Sequence, residues 1–164
     1  LSKIESNILK VEPIAANLIE VIDQSIMIQK PLAEKKKLDI IFDRKDIPLV
    51  LIDKEQILIV INNLIANAIK YSFENSEILI DIEHNPGFVK ISVTDYGIGI
   101  PEDEVDKVFD KFFRSRNNKK GNIEGTGLGL SIVSSIVLKH NGEITLNSEY
   151  GKGSCFSFTL PVSL

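Results

Sequence analysis

The chain has 164 residues, 43% of them hydrophobic, and a formal net charge of −4, which suits one compact domain with a proper core and excludes a disordered or fibrous chain. The mildly acidic balance gives no electrostatic case for nucleic acid as a partner, and the one basic concentration, Lys111 to Lys120, is short and local. No apolar run approaches the roughly 18 residues of a membrane span, Glu5 and Asn7 break any signal-peptide centre, and a lone cysteine, Cys155, excludes an internal disulfide and a cysteine-cluster metal site.

The opening LSKIESNILKVEP looks like the tail of a longer helix running into a strand. ANLIEVIDQSIMIQKPLAEKKK has apolar residues at 18, 21, 22, 26 and 28, a helical spacing, with Pro31 expected to kink or break it. LDIIFD and PLVLID are short strands, and Asp53 is placed to cap the next helix, which runs from about Lys54 to Tyr71. ILIDIEH and FVKISVTD form a hairpin through the Asn85-Pro86-Gly87 turn. PEDEVDKVFDKFF begins with proline and acids, which is helix-start chemistry. Residues 114–126 are a polar, glycine-containing loop, and LGLSIVSSIVLKH is a helix ended by Asn141-Gly142. ITLNSE and SCFSFTL close the domain around the turn YGKG, with Cys155 expected as a small core residue. Hairpins mixed with helices predict an α+β fold: a two-layer α/β sandwich with one mixed, largely antiparallel sheet and helices packed on a single face.

Four stretches carry candidate chemistry. In NNLIANAIKYS, residues 62–72, a helix of Ile, Leu and Ala carries three asparagines, a mediocre helix former. At about 100° per residue, Asn63, Asn67 and Lys70 fall within roughly 60° of one another, while Ile57, Ile61, Leu64, Ile65 and Ala68 face the other way, toward a core. Amide oxygens are hard, neutral donors suited to Mg²⁺, and Lys70 adds a point charge for phosphate; an ordinary solvated face has the same look. DYGIGIP, residues 95–101, puts a carboxylate at a strand end before Gly-x-Gly, where a flat ligand can approach and its exocyclic amine can donate to Asp95; a plain β-turn is the competing explanation. GTGLGLS, residues 125–131, offers backbone N–H groups at a helix start, without a Walker or Rossmann pattern. VFDKFFRSRNNKK sets Phe109, Phe112 and Phe113 before Arg114, Arg116, Lys119 and Lys120, beside a loop of lid-like composition; phenylalanines at helical spacing are usually core.

Together, NNLIANAIKY, DYGIGI, VFDKFF and GTGLGLSIV resemble, in order and interval, the N box, first glycine box, F box and second glycine box of sensor histidine kinases. EYGKGSCFSFTLP resembles the same domain's closing hairpin, and the resemblance covers essentially the whole chain. LSKIES resembles the end of the second helix of the dimerisation and phosphoacceptor domain, which gives residues 1–10 as a helix tail and linker and 11–164 as the ATP-binding catalytic domain. The resemblance implies the Bergerat-type ATP-binding fold, shared with gyrase-type topoisomerases, a chaperone family and mismatch-repair ATPases. It implies ATP and Mg²⁺ as cofactors, with Asn67 the Mg²⁺ ligand and Asn63 the polar residue one turn earlier. Lys70 and Tyr71 match residues lining phosphates and sugar. Asp95 matches the adenine-reading carboxylate, with Gly97, Gly99 and Ile100 shaping the base pocket, and Tyr96 standing where the family usually has Asn. Gly125, Thr126, Gly127, Leu128 and Gly129 match the phosphate-side box, and Arg114 and Arg116 match lid residues able to reach the γ-phosphate.

The resemblance also bears on the reaction. Related ATPases carry a water-activating glutamate at the position of Asn63, and an amide has no useful basicity. Transfer to a nucleophile supplied from outside is then favoured, since phosphoryl transfer is mostly positioning and electrostatics. Asn63, Lys70 and Arg114 are the catalytic candidates. Neither His84 nor His140 has the setting of a phosphoacceptor, so both are expected to be structural and the chain a catalytic fragment. The partners implied are the phosphoacceptor domain of the same kinase and a downstream response regulator. The fragment is expected to be monomeric, the full-length protein a homodimer, and the location cytoplasmic, with membrane anchoring of the full-length protein left open. A Bergerat-fold ATPase, a serine kinase of a regulatory partner and a nucleotide-binding pseudokinase are the alternatives.

Overall fold

The computed structural model describes residues 10–113 and 129–163. In chain order, β1 is Ile14–Ala16, α1 Leu18–Lys35, β2 Asp39–Phe42, β3 Val50–Ile52, α2 Lys54–Tyr71, β4 Glu77–Asn85 and β5 Phe88–Asp95. A 3₁₀ helix, Glu102–Lys107, precedes α3, Gly129–Lys139, β6, Ile144–Glu149, and β7, Gly153–Pro161. Five strands form one sheet in the order β2-β4-β5-β7-β6, with β2 parallel to β4 and the other neighbours antiparallel. The expected α+β architecture stands, with the helices on one face. β1 and β3 make a separate two-stranded sheet, Ala15 opposite Leu51. Among the described residues no helix is long and apolar enough to cross a membrane.

Strand periodicity sorts the two faces. Ile78, Ile80 and Ile82 of β4, Val89, Ile91 and Val93 of β5, and Phe156, Phe158 and Leu160 of β7 are buried under the helices. Ile57, Ile61, Leu64, Ile65 and Ala68 of α2 meet them, as the 3.6-residue spacing predicts. Each fully buried Ile or Leu contributes about 1.5–3 kcal/mol. Cys155 alternates with Phe156 and so points to the opposite face, half-buried, with Sγ 3.7 Å from Ser157 Oγ; it is not a core residue.

The helix ends follow their local chemistry. Asn17 caps α1 by accepting from the Ile19 N–H at 3.0 Å, and Asp53 caps α2 by accepting from the Gln56 N–H at 3.3 Å. Helix α3 ends in a Schellman turn: Asn141 has φ 59° and the Gly142 N–H donates to Val137 O at 3.0 Å. Helix α1 ends the same way, with Lys37 at φ 57° and the Leu38 N–H donating to Ala33 O at 2.9 Å.

Two helical segments depart from their sequence pattern. Helix α1 runs through Pro31 and is not broken by it. The proline removes the donor that would reach Met27 O, but Met27 and Pro31 lie on the exposed side, where water can take that carbonyl. PEDEVDKVFDKFF forms a six-residue 3₁₀ helix and turns instead of an α-helix. The stretch is too short to nucleate an α-helix alone, and packing decides its shape: Val108 is buried and Phe109 meets Phe156 edge-on, centroids 6.1 Å apart. Phe112, at φ 63°, is 66% exposed.

His140 is buried and ties two helix ends together. Its Nδ1–H donates to Ile136 O at 2.8 Å, and its Nε2 accepts from the Asp53 N–H at 3.0 Å. That bond joins the end of α3 to the cap of α2, so the ring is a neutral structural element. His140→Ala is expected to destabilise the domain by about 2–3 kcal/mol through an orphaned donor and a cavity, read as a lower denaturant midpoint. An unchanged midpoint would remove the ring's structural role.

Candidate functional site

Helix α2 presents the expected polar stripe: Asn63 and Asn67 are half-buried and Lys70 is exposed. Asn63 Nδ2 donates to Ile59 O at 2.8 Å, one turn back, which turns its Oδ1 outward. That oxygen lies against Gly129, the first residue of α3, where an added Cβ would sit 2.9 Å from it. Helix α2 and the start of α3 are thereby brought into contact. Lys70 Nζ lies 5.9 Å from the centroid of the Tyr71 ring. Asn62, off the stripe, accepts from Ser25 Oγ at 2.6 Å and so ties α2 to α1.

The C-terminal end of α2 meets the Asp95–Ile100 turn. The Tyr71 carbonyl accepts from the Ile98 N–H at 3.2 Å, and Ser72 bridges Gly97. A Cβ at Gly97 would lie 1.9 Å from Tyr71 O, a cradle that admits only glycine. The two glycine contacts along α2, at residues 63 and 71, are about 12 Å apart at 1.5 Å per residue.

Asp95 ends β5 and is 5% exposed. Its Oδ1 accepts from the Gly97 N–H at 3.0 Å. Burial pushes its carboxyl up to about 6, opposed by the Gly97 and Ser154 N–H groups and the charge of Lys36. A buried carboxylate short of compensation retains the capacity to accept from a ligand. Gly99, at φ 70°, packs on the Glu149 carbonyl, and Gly153, at φ 126°, on the Asp95 carbonyl, where added Cβ atoms would sit 2.1 Å away in both cases. The Ile100 N–H donates to Ser148 Oγ at 2.8 Å, and the Gly151 N–H to Ile98 O at 2.7 Å. The β6–β7 hairpin therefore buttresses the glycine box.

Three elements distant in sequence thus converge: the α2 stripe, the Asp95 turn and the start of α3. Arg114, Arg116, Lys119, Lys120, Gly125, Thr126, Gly127 and Leu128 lie outside the described residues, as do residues 1–9. Ser148, Gly153 and Lys36 escape sequence reasoning. Lys36 in particular reads as one of three consecutive lysines, yet its Nζ donates to the Ile69 and Lys70 carbonyls at 2.9 and 2.8 Å.

Among the described residues no group of three or more His, Cys, Asp or Glu side chains can hold a metal ion. Asn67 offers one hard oxygen, the pattern of Mg²⁺ sites that share their ligands with phosphate and water.

The family model for histidine kinase-, DNA gyrase B-, and HSP90-like ATPases matches residues 52–164. The adaptive-response sensory kinase SasA of Crocosphaera subtropica is 45% identical over 133 residues, 80% of this chain and 34% of that protein. The sensor histidine kinase WalK of Bacillus subtilis is 44% identical over 112 residues, 67% of this chain and 18% of that protein. The chain therefore spans about a third of the first and under a fifth of the second. Among solved structures, a nucleotide-free catalytic domain of the histidine kinase ThkA is similar with a TM-score of 0.80 and 33% identity, covering 93% of this chain and 99% of that one. Full-length ShkA in complex with AMPPNP is similar with a TM-score of 0.81 and 25% identity, covering 94% of this chain and 32% of that one.

Proposed function

The chain belongs to the family of histidine kinase-, DNA gyrase B-, and HSP90-like ATPases, as a histidine kinase catalytic domain, and on that footing we propose that it passes the γ-phosphoryl of Mg-ATP to a histidine on a separate phosphoacceptor domain. The whole kinase is then a homodimer through that domain, and a response regulator receives the phosphoryl group downstream. The observation that carries this reading is the pairing of Asn63 with Gly129 at the middle of α2 and of Tyr71 with Gly97 beside buried Asp95 at its C-terminal end. One helix can then present its middle to the phosphates and its C-terminal end to the base.

Asp95 accepts a hydrogen bond from the adenine amino group, which a guanine oxygen cannot supply. Asn67 holds Mg²⁺ through its amide oxygen, and Lys70 lies at the phosphates. Bound Mg²⁺ supplies charge neutralisation across the phosphate oxygens. Asn63, whose Nδ2 is already committed to Ile59 O, has no basic atom to take a proton from water. That favours transfer over hydrolysis.

Incubating the domain with Mg-ATP and its separately made phosphoacceptor domain should yield acid-labile phosphohistidine on the acceptor. Phosphate release without acceptor would instead make the chain an ATPase, and binding without transfer a pseudokinase.

The Asp95 carboxyl also gives the binding a pH signature. The amine contact needs the ionised form, and that carboxyl is pushed up to about 6 in the free protein. Affinity for ADP is expected to be full above that value and to fall as pH drops through it. Calorimetric titration across the range checks this, and a flat profile would refute it.

A further inference from the structure

We infer that Lys36 is a positioning residue for the nucleotide site, clamping the end of α2 and supplying the positive charge that keeps Asp95 competent to accept from the base. The inference rests on the nucleotide-binding reading above.

The geometry starts at the end of α1. The Schellman turn at Lys37 and burial of Leu38 fix the backbone at Lys36, the helix's C-cap residue. Its side chain then crosses to α2 and donates to two of that helix's last carbonyls, Ile69 O at 2.9 Å and Lys70 O at 2.8 Å. A cation at a helix C-terminus is favoured by the helix dipole, and carbonyls in the last turn lack intrahelical donors. The next carbonyl, that of Tyr71, receives the Ile98 N–H, and Gly97 packs against it. The clamp is therefore one residue from the surface on which the first glycine box rests.

The electrostatics agree. Burial lowers the ammonium's affinity for its proton, while Glu74 and Asp95 oppose that effect. Asp95 in turn faces the N–H groups of Gly97 and Ser154 and the charge of Lys36. Among these named neighbours of Asp95, Lys36 is the one bearing a full positive charge, so its loss should make the carboxylate harder to ionise.

The test is calorimetric ADP binding as a function of pH for the chain and for Lys36→Met, Lys36→Gln and Lys36→Arg. Met and Gln are expected to weaken binding by about 3–10-fold near neutral pH and to move the acid-side fall in affinity to higher pH. Arg, which keeps the charge, should return that midpoint to the wild-type position. Gln retains a donor for the α2 carbonyls, so it reports on charge even if Met impairs folding. If the Met and Gln profiles superimpose on wild type, Lys36 is only a helix cap and the inference fails, while nucleotide binding stands. Wild-type protein that binds no ADP would overturn the nucleotide reading and this inference with it.

Discussion

Replacing Asp95 with asparagine is expected to weaken ATP binding by at least about a hundredfold, roughly 2.7 kcal/mol, while leaving the apo domain as stable as before or more so at neutral pH. The two effects share one cause. Asp95 is buried, and its carboxyl sits at about 6 against an ordinary 3.8. A carboxyl raised on folding favours the native state fully below its unfolded value, and that contribution is lost as pH rises through the folded value. At neutral pH the ionised group therefore costs the empty domain on the order of 2–3 kcal/mol. Asparagine removes the charge and that cost, and it can still accept the Gly97 N–H. It also turns an amide N–H₂ toward a ligand amine, where two donors meet and neither is satisfied. Binding calorimetry beside chemical denaturation reads both quantities. Unchanged affinity would remove Asp95 from base recognition, and a large loss of apo stability would contradict the origin assigned to its raised carboxyl.

Gly97→Ala is expected to abolish nucleotide binding and to destabilise the fold by about 2–3 kcal/mol. The methyl would arrive 1.9 Å from Tyr71 O, 2.6 Å from its carbonyl carbon and 3.0 Å from Asp95 Oδ1. None of the first two is the movable end of a side chain, so backbone must shift, and the shift falls where α2 meets the glycine box. Gly87→Ala is the matched control. Gly87 has φ 87° with nothing within 4 Å of an added Cβ, so it pays only left-handed strain, about 1–2 kcal/mol. It lies at the far hairpin, and its nucleotide affinity should be unaltered. If both variants bind alike, close packing at Gly97 does not shape the site.

The two glycines also mark what a sequence can disclose. Gly87 follows Asn85-Pro86 between two alternating runs, so its turn is written locally. The need for glycine at 97 depends on a carbonyl 26 positions earlier, and only the motif Asp-x-Gly-x-Gly hints at it. The stripe of Asn63, Asn67 and Lys70 was legible because helical periodicity places it, and the core-facing isoleucines of α2 followed from the same arithmetic. Asn62 was not, since its partner Ser25 sits on another helix. Lys36 hid within Lys35-Lys36-Lys37, where composition alone reads as a solvated run and only the turn at the end of α1 singles out the middle residue. The 3₁₀ segment at 102–107 misled because proline and acids mark a helix start without saying how long the helix lasts. The separate β1–β3 sheet is a question of pairing, which strand propensity leaves undetermined.

Strand β7 has a consequence for biosynthesis. It is the last strand of the domain, yet it lies between β5 and β6, pairing with β5 from Phe88–Pro161 to Asp95–Ser154. A growing chain therefore holds β5 with one open edge until the final strand leaves the ribosome, and an open apolar edge invites pairing with other chains. A premature stop before Gly153 would remove the carbonyl-packed glycine beneath Asp95 together with the strand that lies between β5 and β6. Termination within this domain before β7 should thus yield insoluble product, and a polypeptide competent for nucleotide would emerge only once β7 has been made.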